Sequence, residues 1–298
     1  MTLHWPWTDA VADVLYMTGF LGIFVLPFVL YLALVSAGAI TLPASKPRAA
    51  GRRLLGPLFI GFYYWMLSPI FRVVNRTRLM PNQITGASLV AGLLTAVAIG
   101  TGHFALASAL LIGGTTLDIV DGQLARSKKM TTASGAFLDS TVDRICDGLM
   151  FGGCVVYYAG SPMMFVSLVA LIMSFTVSYA RSRAEGLGIV GAEGLMQRAD
   201  RIAILGTALA VSPFFAHRAE GFVAHPFYGV TAGALCLLAL LNAVTAIARI
   251  RWTMERLKDG SHLNLVRARN EAPRVDVLRP AANDDAAAAA PLLNQRAR

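Results

Sequence analysis

The chain contains 298 residues, of which 56% are hydrophobic and only 14% are charged. That composition is typical of an integral membrane protein and argues against a large soluble domain. Lysine and arginine together number 26, against 17 aspartate and glutamate residues, which gives a formal net charge of +9. Because the basic residues cluster at the ends of apolar segments, we interpret the charge as a membrane-topology signal and predict no nucleic-acid partner.

The first apolar segment covers residues 10–40 and is long enough to cross a hydrocarbon core of about 30 Å. It lacks the basic start of a secretory signal peptide, so we predict a retained transmembrane helix whose N-terminus lies outside the cytoplasm. The next segment, residues 54–74, is rich in aromatic residues and contains two prolines. We predict that it lies in the membrane interface, because crossing would carry the arginines near its end to the wrong side.

Six further apolar segments predict a helical core. They cover approximately residues 81–100, 104–125, 135–158, 163–185, 201–215 and 227–256. The loops between them alternate between basic and nearly uncharged, which predicts a multi-pass protein of the inner, cytoplasmic membrane. The same alternation predicts that the loop after the second core helix is cytoplasmic. The chain after residue 258 is polar, and we predict a disordered cytoplasmic tail.

This pattern divides the chain into four predicted regions. They are an N-terminal transmembrane helix with a basic loop (1–53), an interfacial helix (54–80), a six-helix core (81–258) and the tail (259–298). Membrane lipids are therefore expected partners along most of the chain. The sequence leaves open whether the protein forms a homodimer.

Four aspartates lie on either side of the loop between the second and third core helices. They are Asp118, Asp121, Asp139 and Asp143. The first two are three residues apart and the last two are four apart, so each pair shares one helix face. A tight turn between the helices would let the pairs converge. Acids at membrane depth are costly unless a positive group neutralises them, and they indicate a functional site.

The chemistry of these aspartates favours a divalent metal ion. Carboxylate oxygens without nearby thiolate or imidazole ligands suit a hard cation such as Mg²⁺ or Mn²⁺, which proteins commonly share with substrate phosphates. Gly122 would let a ligand approach the backbone closely, and Arg126 offers a planar donor for a phosphate. The residues around the aspartates therefore predict phosphoryl chemistry.

This stretch also resembles the signature of a known family. The pattern D-x-x-D-G-x-x-A-R, eight residues, then G-x-x-x-D-x-x-x-D is similar to that of the CDP-alcohol phosphatidyltransferases, and all eight signature positions are filled. The resemblance implies an all-α integral membrane enzyme with a six-helix core, to which this chain adds an N-terminal transmembrane helix and an interfacial helix. It implies transfer of a substituted phosphate from a CDP-alcohol lipid, such as CDP-diacylglycerol, to an acceptor alcohol in phospholipid biosynthesis, with release of CMP.

The resemblance also implies roles for individual residues. It implies a two-metal site with Asp118, Asp121 and Asp139 as the principal ligands. Asp143 is implied as a further metal ligand and as the general base that deprotonates the attacking hydroxyl. The residues implied in the nucleotide and diphosphate pocket are Gly122, Ala125, Arg126 and Gly135. Asn82 and Thr85 are further candidates there, although an ordinary helix start explains them about equally well.

Arginines at the predicted cytoplasmic helix ends are candidates for binding the acceptor. An anionic acceptor would suit them, and anchoring of the membrane topology is the competing interpretation. Residues 179–188 and 194–201 resemble the corresponding stretch of the phosphatidylinositol phosphate synthases, in which basic residues hold the phosphate of inositol phosphate. This resemblance favours inositol phosphate as the acceptor, although Ala199 and Asp200 replace the usual Pro-Glu pair and an arginine replaces the usual lysine at position 181. The acceptor-binding candidates are Arg181, Arg198, Arg201 and Arg249.

Other functions remain open from the sequence. Within the same family, the acceptor could be glycerol 3-phosphate, serine or another alcohol. From a different class, buried acids could bind the coupling ion of a membrane transporter, but such a protein would not need glycine and arginine at fixed offsets from the acids. An inactive protein of the same fold is the third alternative, and the four intact aspartates argue against it.

Overall fold

The structure is a computed structural model that describes residues 26–39, 57–189, 194–216 and 228–258, together with Gly19 and Gly22. Within these residues the regular secondary structure consists of eight α-helices. They are α1 (Leu26–Ser36), α2 (Pro57–Asn75), α3 (Pro81–Gly100), α4 (Phe104–Ser127), α5 (Ala133–Tyr157), α6 (Pro162–Gly186), α7 (Arg198–Ala216) and α8 (Gly229–Lys258). The basic loop predicted after the first transmembrane helix, most of that helix's first half and the predicted tail lie outside the described residues.

The described helices fall into two compact units. The first contains α1 and α2 up to Val73. Its centre is aromatic, because the buried ring of Tyr31 lies 5.6 Å from that of Phe62 and 5.7 Å from that of Trp65, measured between centroids. The second unit contains α3 to α8 and every candidate site residue.

The six helices of the second unit confirm the predicted core, with every helix end within three residues of its predicted position. Four of them, α3, α4, α6 and α8, are long and apolar enough to cross a membrane. The charged residues of the candidate site interrupt the apolar character of α5 and α7. The protein is thus a multi-pass membrane protein, while the interfacial position of α2 and the four-region division of the chain remain predictions.

Local sequence explains how the helices that carry the site begin and end. Pro81 occupies the first position of α3, where its missing N–H costs no hydrogen bond. At the end of α4, Lys129 adopts a φ of 55°, and the N–H of Met130 donates to the carbonyl oxygen of Ala125. This is the geometry of a Schellman-type helix end. Thr132 then caps α5 by accepting a hydrogen bond from the N–H of Gly135. The predicted tight turn between the two aspartate pairs is therefore confirmed.

The six core helices pack in a closed ring in the order α3, α4, α7, α8, α6 and α5. Its interior is filled by apolar side chains such as Phe104, Phe151, Leu205 and Leu235, all of which are almost fully buried. Helices α3 and α5 approach closely at Gly153, where a Cβ atom would lie only 2.7 Å from the carbonyl oxygen of Ala96. Small residues allow such contacts between membrane helices. This contact lies near the ends of α3 and α5, and the hydrogen bond from Thr85 to Asp121 holds the start of α3 against α4.

Candidate active site

Three aspartates come together where α4 ends and α5 begins, and we call them the acid cluster: Asp118, Asp121 and Asp139. One carboxylate oxygen from each lies within 4.8 Å of the others. Asp121 is almost fully buried and accepts a hydrogen bond from the hydroxyl of Thr85 on α3. The convergence of the two aspartate pairs is thus observed for three of the four residues.

The acid cluster fits a divalent cation. Three carboxylates at this separation repel one another unless a positive charge or protons compensate them. Its donors are all oxygen atoms, which hard cations such as Mg²⁺ and Mn²⁺ prefer over nitrogen or sulfur donors. Because the helix end and the Thr85 hydrogen bond fix two sides of the cluster, the ligands would need little rearrangement to bind an ion.

Asp143 lies one helical turn beyond the acid cluster on α5. Its Oδ1 atom is 2.8 Å from Nη1 of Arg198, although the two groups are not aligned for a hydrogen bond. The side chain remains 27% exposed. Asp143 therefore has access to a ligand while being held near the cluster by charge, and its role as base or metal ligand remains a prediction.

The glycines and Arg126 lie around the rim of the acid cluster. The guanidinium of Arg126 folds back over Gly122. A Cβ atom on that glycine would be 3.5 Å from both terminal nitrogens of Arg126. Arg126 also acts electrostatically on Asp139 across the α4–α5 turn. Ala125, half-buried on α4, supplies the carbonyl oxygen that closes this turn.

The starts of α3 and α5 meet on the other side of the turn. A Cβ atom on Gly135 would lie 3.8 Å from the side-chain oxygen of Asn82. The structure thus brings together these two residues, as the pocket prediction requires. Their contact with a nucleotide, like that of Gly122, Ala125 and Arg126, remains a prediction.

Arg198 lies beside the acid cluster, whereas the sequence predicts it only as an acceptor-binding residue. Its Nη1 atom donates to Oδ2 of Asp118 at 2.8 Å, and its Nε donates to Oδ1 of Asp147 at 3.1 Å. Asp147 also accepts from Nη2 of Arg201 at 2.8 Å. A charge-paired chain thus runs from the acid cluster through Arg198 and Asp147 to Arg201.

The remaining candidate arginines, with Arg201, form what we call the arginine group: Arg181, Arg201 and Arg249. Arg249 is buried on α8 and donates through Nη1 to the carbonyl oxygen of Val177, one helical turn before Arg181 on α6. Arg181 is exposed and pairs with Glu185 at 2.9 Å. Among the residues that the structure describes, the buried Nε atoms of Arg201 and Arg249 have no hydrogen-bond partner. The group therefore concentrates positive charge on three neighbouring helices, α6, α7 and α8.

Sequence reasoning missed Asp147. Its signal is present, because Asp139, Asp143 and Asp147 repeat every four residues and so follow one face of α5. The family pattern ends at Asp143, four residues before Asp147.

Comparison with known proteins identifies the family. The sequence model of a family described as CDP-alcohol phosphatidyltransferase matches residues 78–241, more than half of the chain. The chain belongs to this family. The matched region contains the whole acid cluster and all of α3 to α7.

Individual relatives agree with this assignment. Archaetidylinositol phosphate synthase of Methanothermobacter thermautotrophicus is 33% identical over a match covering 62% of this chain and 89% of the relative. The crystal structure of Mycobacterium tuberculosis phosphatidylinositol phosphate synthase with CDP-DAG bound superposes with a TM-score of 0.54 and 28% identity, covering 62% of this chain and 92% of that one. The same enzyme in complex with manganese and citrate gives a TM-score of 0.55 at 28% identity, with coverage of 63% and 88%.

Several predictions made from the sequence are confirmed by these findings. The protein is an all-α membrane CDP-alcohol phosphatidyltransferase, as the signature indicated. A divalent metal cofactor agrees with the acid cluster in this chain and with the manganese complex of the relative. The number of ions, the roles of the individual site residues and the acceptor remain predictions.

Proposed function

We propose that the protein transfers the phosphatidyl group of CDP-diacylglycerol to a hydroxyl of inositol phosphate, releasing CMP and forming a phosphorylated inositol phospholipid. The observation that carries the acceptor is the arginine group beside the acid cluster, where Arg201 is connected to Asp118 through Asp147 and Arg198. The two relatives described above, both inositol phosphate lipid synthases, support the same choice.

The arginine group favours an acceptor that brings its own negative charge. A buried donor without a partner is costly, and a charged acceptor of hydrogen bonds recovers more of that cost than a neutral hydroxyl does. A phosphate has several oxygens and can engage two guanidinium groups at once. Glycerol 3-phosphate would satisfy the same donors, so it is the nearest competing acceptor.

The acid cluster supports the donor side of the reaction. Asp118, Asp121 and Asp139 would hold the divalent cations, for which we propose a two-metal arrangement. When bound, the cations would supply positive charge that offsets the negative charge of the diphosphate and of the departing CMP. Arg126, beside Gly122, would donate to the diphosphate, and the Gly135 and Asn82 side of the turn would bound the nucleotide.

Asp143 would take the proton of the attacking hydroxyl. Its partial exposure and its position one helical turn beyond the acid cluster support this role, because a base need only reach the acceptor oxygen. The acceptor oxygen then forms a bond to the phosphatidyl phosphorus as the bond from that phosphorus to CMP breaks. The proton leaves on Asp143, so charge and atoms balance.

We also propose that the acid cluster faces the cytoplasm of an inner membrane, because basic residues concentrate at that end of the core helices. Labelling of single-cysteine variants at two positions tests this topology. Lys129→Cys, beside the cluster, should be protected from an impermeant reagent in intact cells, and Ser161→Cys, in the loop between α5 and α6, should react. The natural Cys236, which is exposed, is first replaced by serine. The opposite labelling pattern would reverse the topology.

The acceptor is tested by measuring CMP release from CDP-diacylglycerol with purified full-length protein and Mn²⁺ or Mg²⁺. The acceptors are inositol phosphate, free inositol, glycerol 3-phosphate and serine. We expect the highest kcat/KM with inositol phosphate and little turnover with free inositol. A preference for free inositol or serine would overturn the proposal. A preference for glycerol 3-phosphate would support a phosphorylated acceptor but contradict inositol as its alcohol.

The Arg201→Gln variant tests whether the arginine group is the phosphate site. Losing one charge-assisted hydrogen bond should raise the KM for the acceptor by about 10- to 150-fold and leave the KM for CDP-diacylglycerol nearly unchanged. Arg183→Gln is the matched control, because it removes the same charge from an exposed position on α6. Equal effects of the two substitutions on the acceptor KM would contradict a specific phosphate site.

A further inference from the structure

Asp147 is a buried carboxylate outside both the acid cluster and the family signature. Only 5% of its surface is exposed, yet it carries a charge deep in α5. Burying an ion in this way is costly unless it is paired and hydrogen-bonded. Asp147 must therefore be compensated by its neighbours, and the identity of those neighbours indicates what it does.

Both carboxylate oxygens of Asp147 are used. Oδ1 accepts from Nε of Arg198 at 3.1 Å, and Oδ2 accepts from Nη2 of Arg201 at 2.8 Å. The hydroxyl of Ser174 on α6 is a third, longer donor to Oδ2 at 3.3 Å. One carboxylate thus links α5, α6 and α7 at the level of the candidate site.

Asp147 binds one nitrogen of each arginine and leaves the other guanidinium nitrogens for other partners. On Arg198 it takes Nε and leaves Nη1 for Asp118 and Asp143. On Arg201 it takes Nη2, and Nε remains buried without a partner among the described residues. An arginine side chain has several rotatable bonds, so a fixed partner on one edge of the guanidinium determines where the other edge points.

We propose that Asp147 is a positioning residue that orients Arg198 toward the acid cluster and Arg201 toward the acceptor. This rests on the proposed function in that Arg201 is taken to bind the acceptor. Asp147 itself touches neither substrate. It sets the two arginines in a fixed relation, so that the group bound by Arg201 and the ions held by the acid cluster keep the spacing needed for attack.

The competing interpretation is that Asp147 only stabilises the helix packing as a buried ion pair. The two interpretations differ in what Asp147→Asn does to the folded enzyme. A structural residue would lower the melting temperature and the amount of active protein, with the KM values unchanged. A positioning residue would raise the acceptor KM and lower kcat in protein that remains folded, with the KM for CDP-diacylglycerol unchanged.

The test is a double-mutant cycle on the full-length protein in detergent, with Mn²⁺ and CDP-diacylglycerol. It compares wild type, Asp147→Asn, Arg201→Gln and the double variant, and it measures kcat and both KM values. We expect Asp147→Asn to raise the acceptor KM by about 10-fold or more. Its effect on that KM should largely disappear in the Arg201→Gln background, because interacting residues do not act additively. Additive effects on the acceptor KM would overturn the proposal.

The matched control is Asp200→Asn. Asp200 is a buried aspartate at the start of α7 whose side chain accepts from the N–H of Gln197, a bond that asparagine can also accept. Asp200→Asn should leave the acceptor KM within about 2-fold of wild type, since asparagine preserves the hydrogen bond that caps the start of α7. If Asp147→Asn does not yield folded protein, Asp147→Glu keeps the charge and displaces it by one methylene. An unchanged acceptor KM in Asp147→Glu would then count against positioning.

The cycle uses whichever acceptor wild type turns over fastest, so the two proposals fail separately. A wild-type preference for an acceptor without a phosphate contradicts the proposed function. The coupling between Asp147 and Arg201 is read from the acceptor KM in either case, and its absence contradicts the positioning role.

Discussion

The acid cluster and the arginine group carry opposite charges and are built in different ways. The acid cluster comes from two consecutive helices joined by one short turn, and its carboxylates are supported by Thr85 and Arg198. The arginine group comes from α6, α7 and α8, and two of its buried guanidinium nitrogens have no partner among the described residues. One region presents excess negative charge in a fixed geometry, and the other presents unused donors.

This difference separates the chemistry shared across the family from the choice of acceptor. In the proposed function the acid cluster would hold cations that contact the diphosphate of any CDP-alcohol, so its loss should affect the reaction with every acceptor. The arginine group should affect only acceptors that carry an anionic group. Arg198 links the two regions. It contacts Asp118 directly, and it is connected to Arg201 through Asp147.

The largest effect is expected from Asp121→Asn. It removes one carboxylate charge from the acid cluster without changing the side-chain volume, and kcat should fall by about 1,000-fold or more with every acceptor. CMP release in the presence of excess Mn²⁺ measures the loss. If the variant kept most of its turnover, Asp121 would not be a metal ligand and the acid cluster would lose its assigned role.

Asp143→Asn should be the next most damaging. A general base contributes about 100- to 10,000-fold, so kcat should fall within that range. Binding of CDP-diacylglycerol, measured separately by titration, should change much less, because the interaction is made mainly in the transition state. A parallel loss of turnover and of metal or donor binding would identify Asp143 as a fourth ligand of the acid cluster.

Thr85→Val tests the support of the acid cluster from α3. The substitution keeps the shape of the side chain but removes the hydroxyl that donates to Asp121. Outer partners of metal ligands typically contribute 10- to 100-fold, so we expect the Mn²⁺ concentration for half-maximal activity to rise by about 10-fold. Ser88→Ala is the control, because the Ser88 hydroxyl donates to the backbone carbonyl oxygen of Thr85 and not to a carboxylate among the described residues. Unchanged metal dependence in Thr85→Val would make Thr85 a packing residue.

Arg181→Gln should have the smallest effect of the four. The side chain is 60% exposed and already paired with Glu185, and exposed ion pairs contribute little. We expect the acceptor KM to rise by no more than about 5-fold, through weaker long-range attraction of an anionic substrate. Raising the salt concentration should reduce the difference from wild type. An effect as large as that of Arg201→Gln would mean that Arg181 contacts the acceptor directly.

Local spacing was enough to predict the helices and the acid cluster. The six core helices follow from apolar segments bounded by proline, glycine and basic residues, and their ends lie within three residues of the predicted ones. Asp118 and Asp121 had to share a helix face because α-helical periodicity is a property of the chain itself. The short linker then left little freedom for the second pair to lie elsewhere. A divalent metal followed from the all-oxygen donor set.

Contacts between helices distant in sequence were decided only by the tertiary structure. Arg198 is 80 residues from Asp118, and its place at the acid cluster depends on how α7 packs against α4. Asp147 could be read from the sequence as one more acid on α5, but its two arginine partners could not. The unpartnered nitrogens of Arg201 and Arg249 are likewise visible only once the surrounding helices have excluded water. Helical periodicity determines which face of a helix a residue occupies, whereas tertiary packing determines which residues of other helices that face contacts.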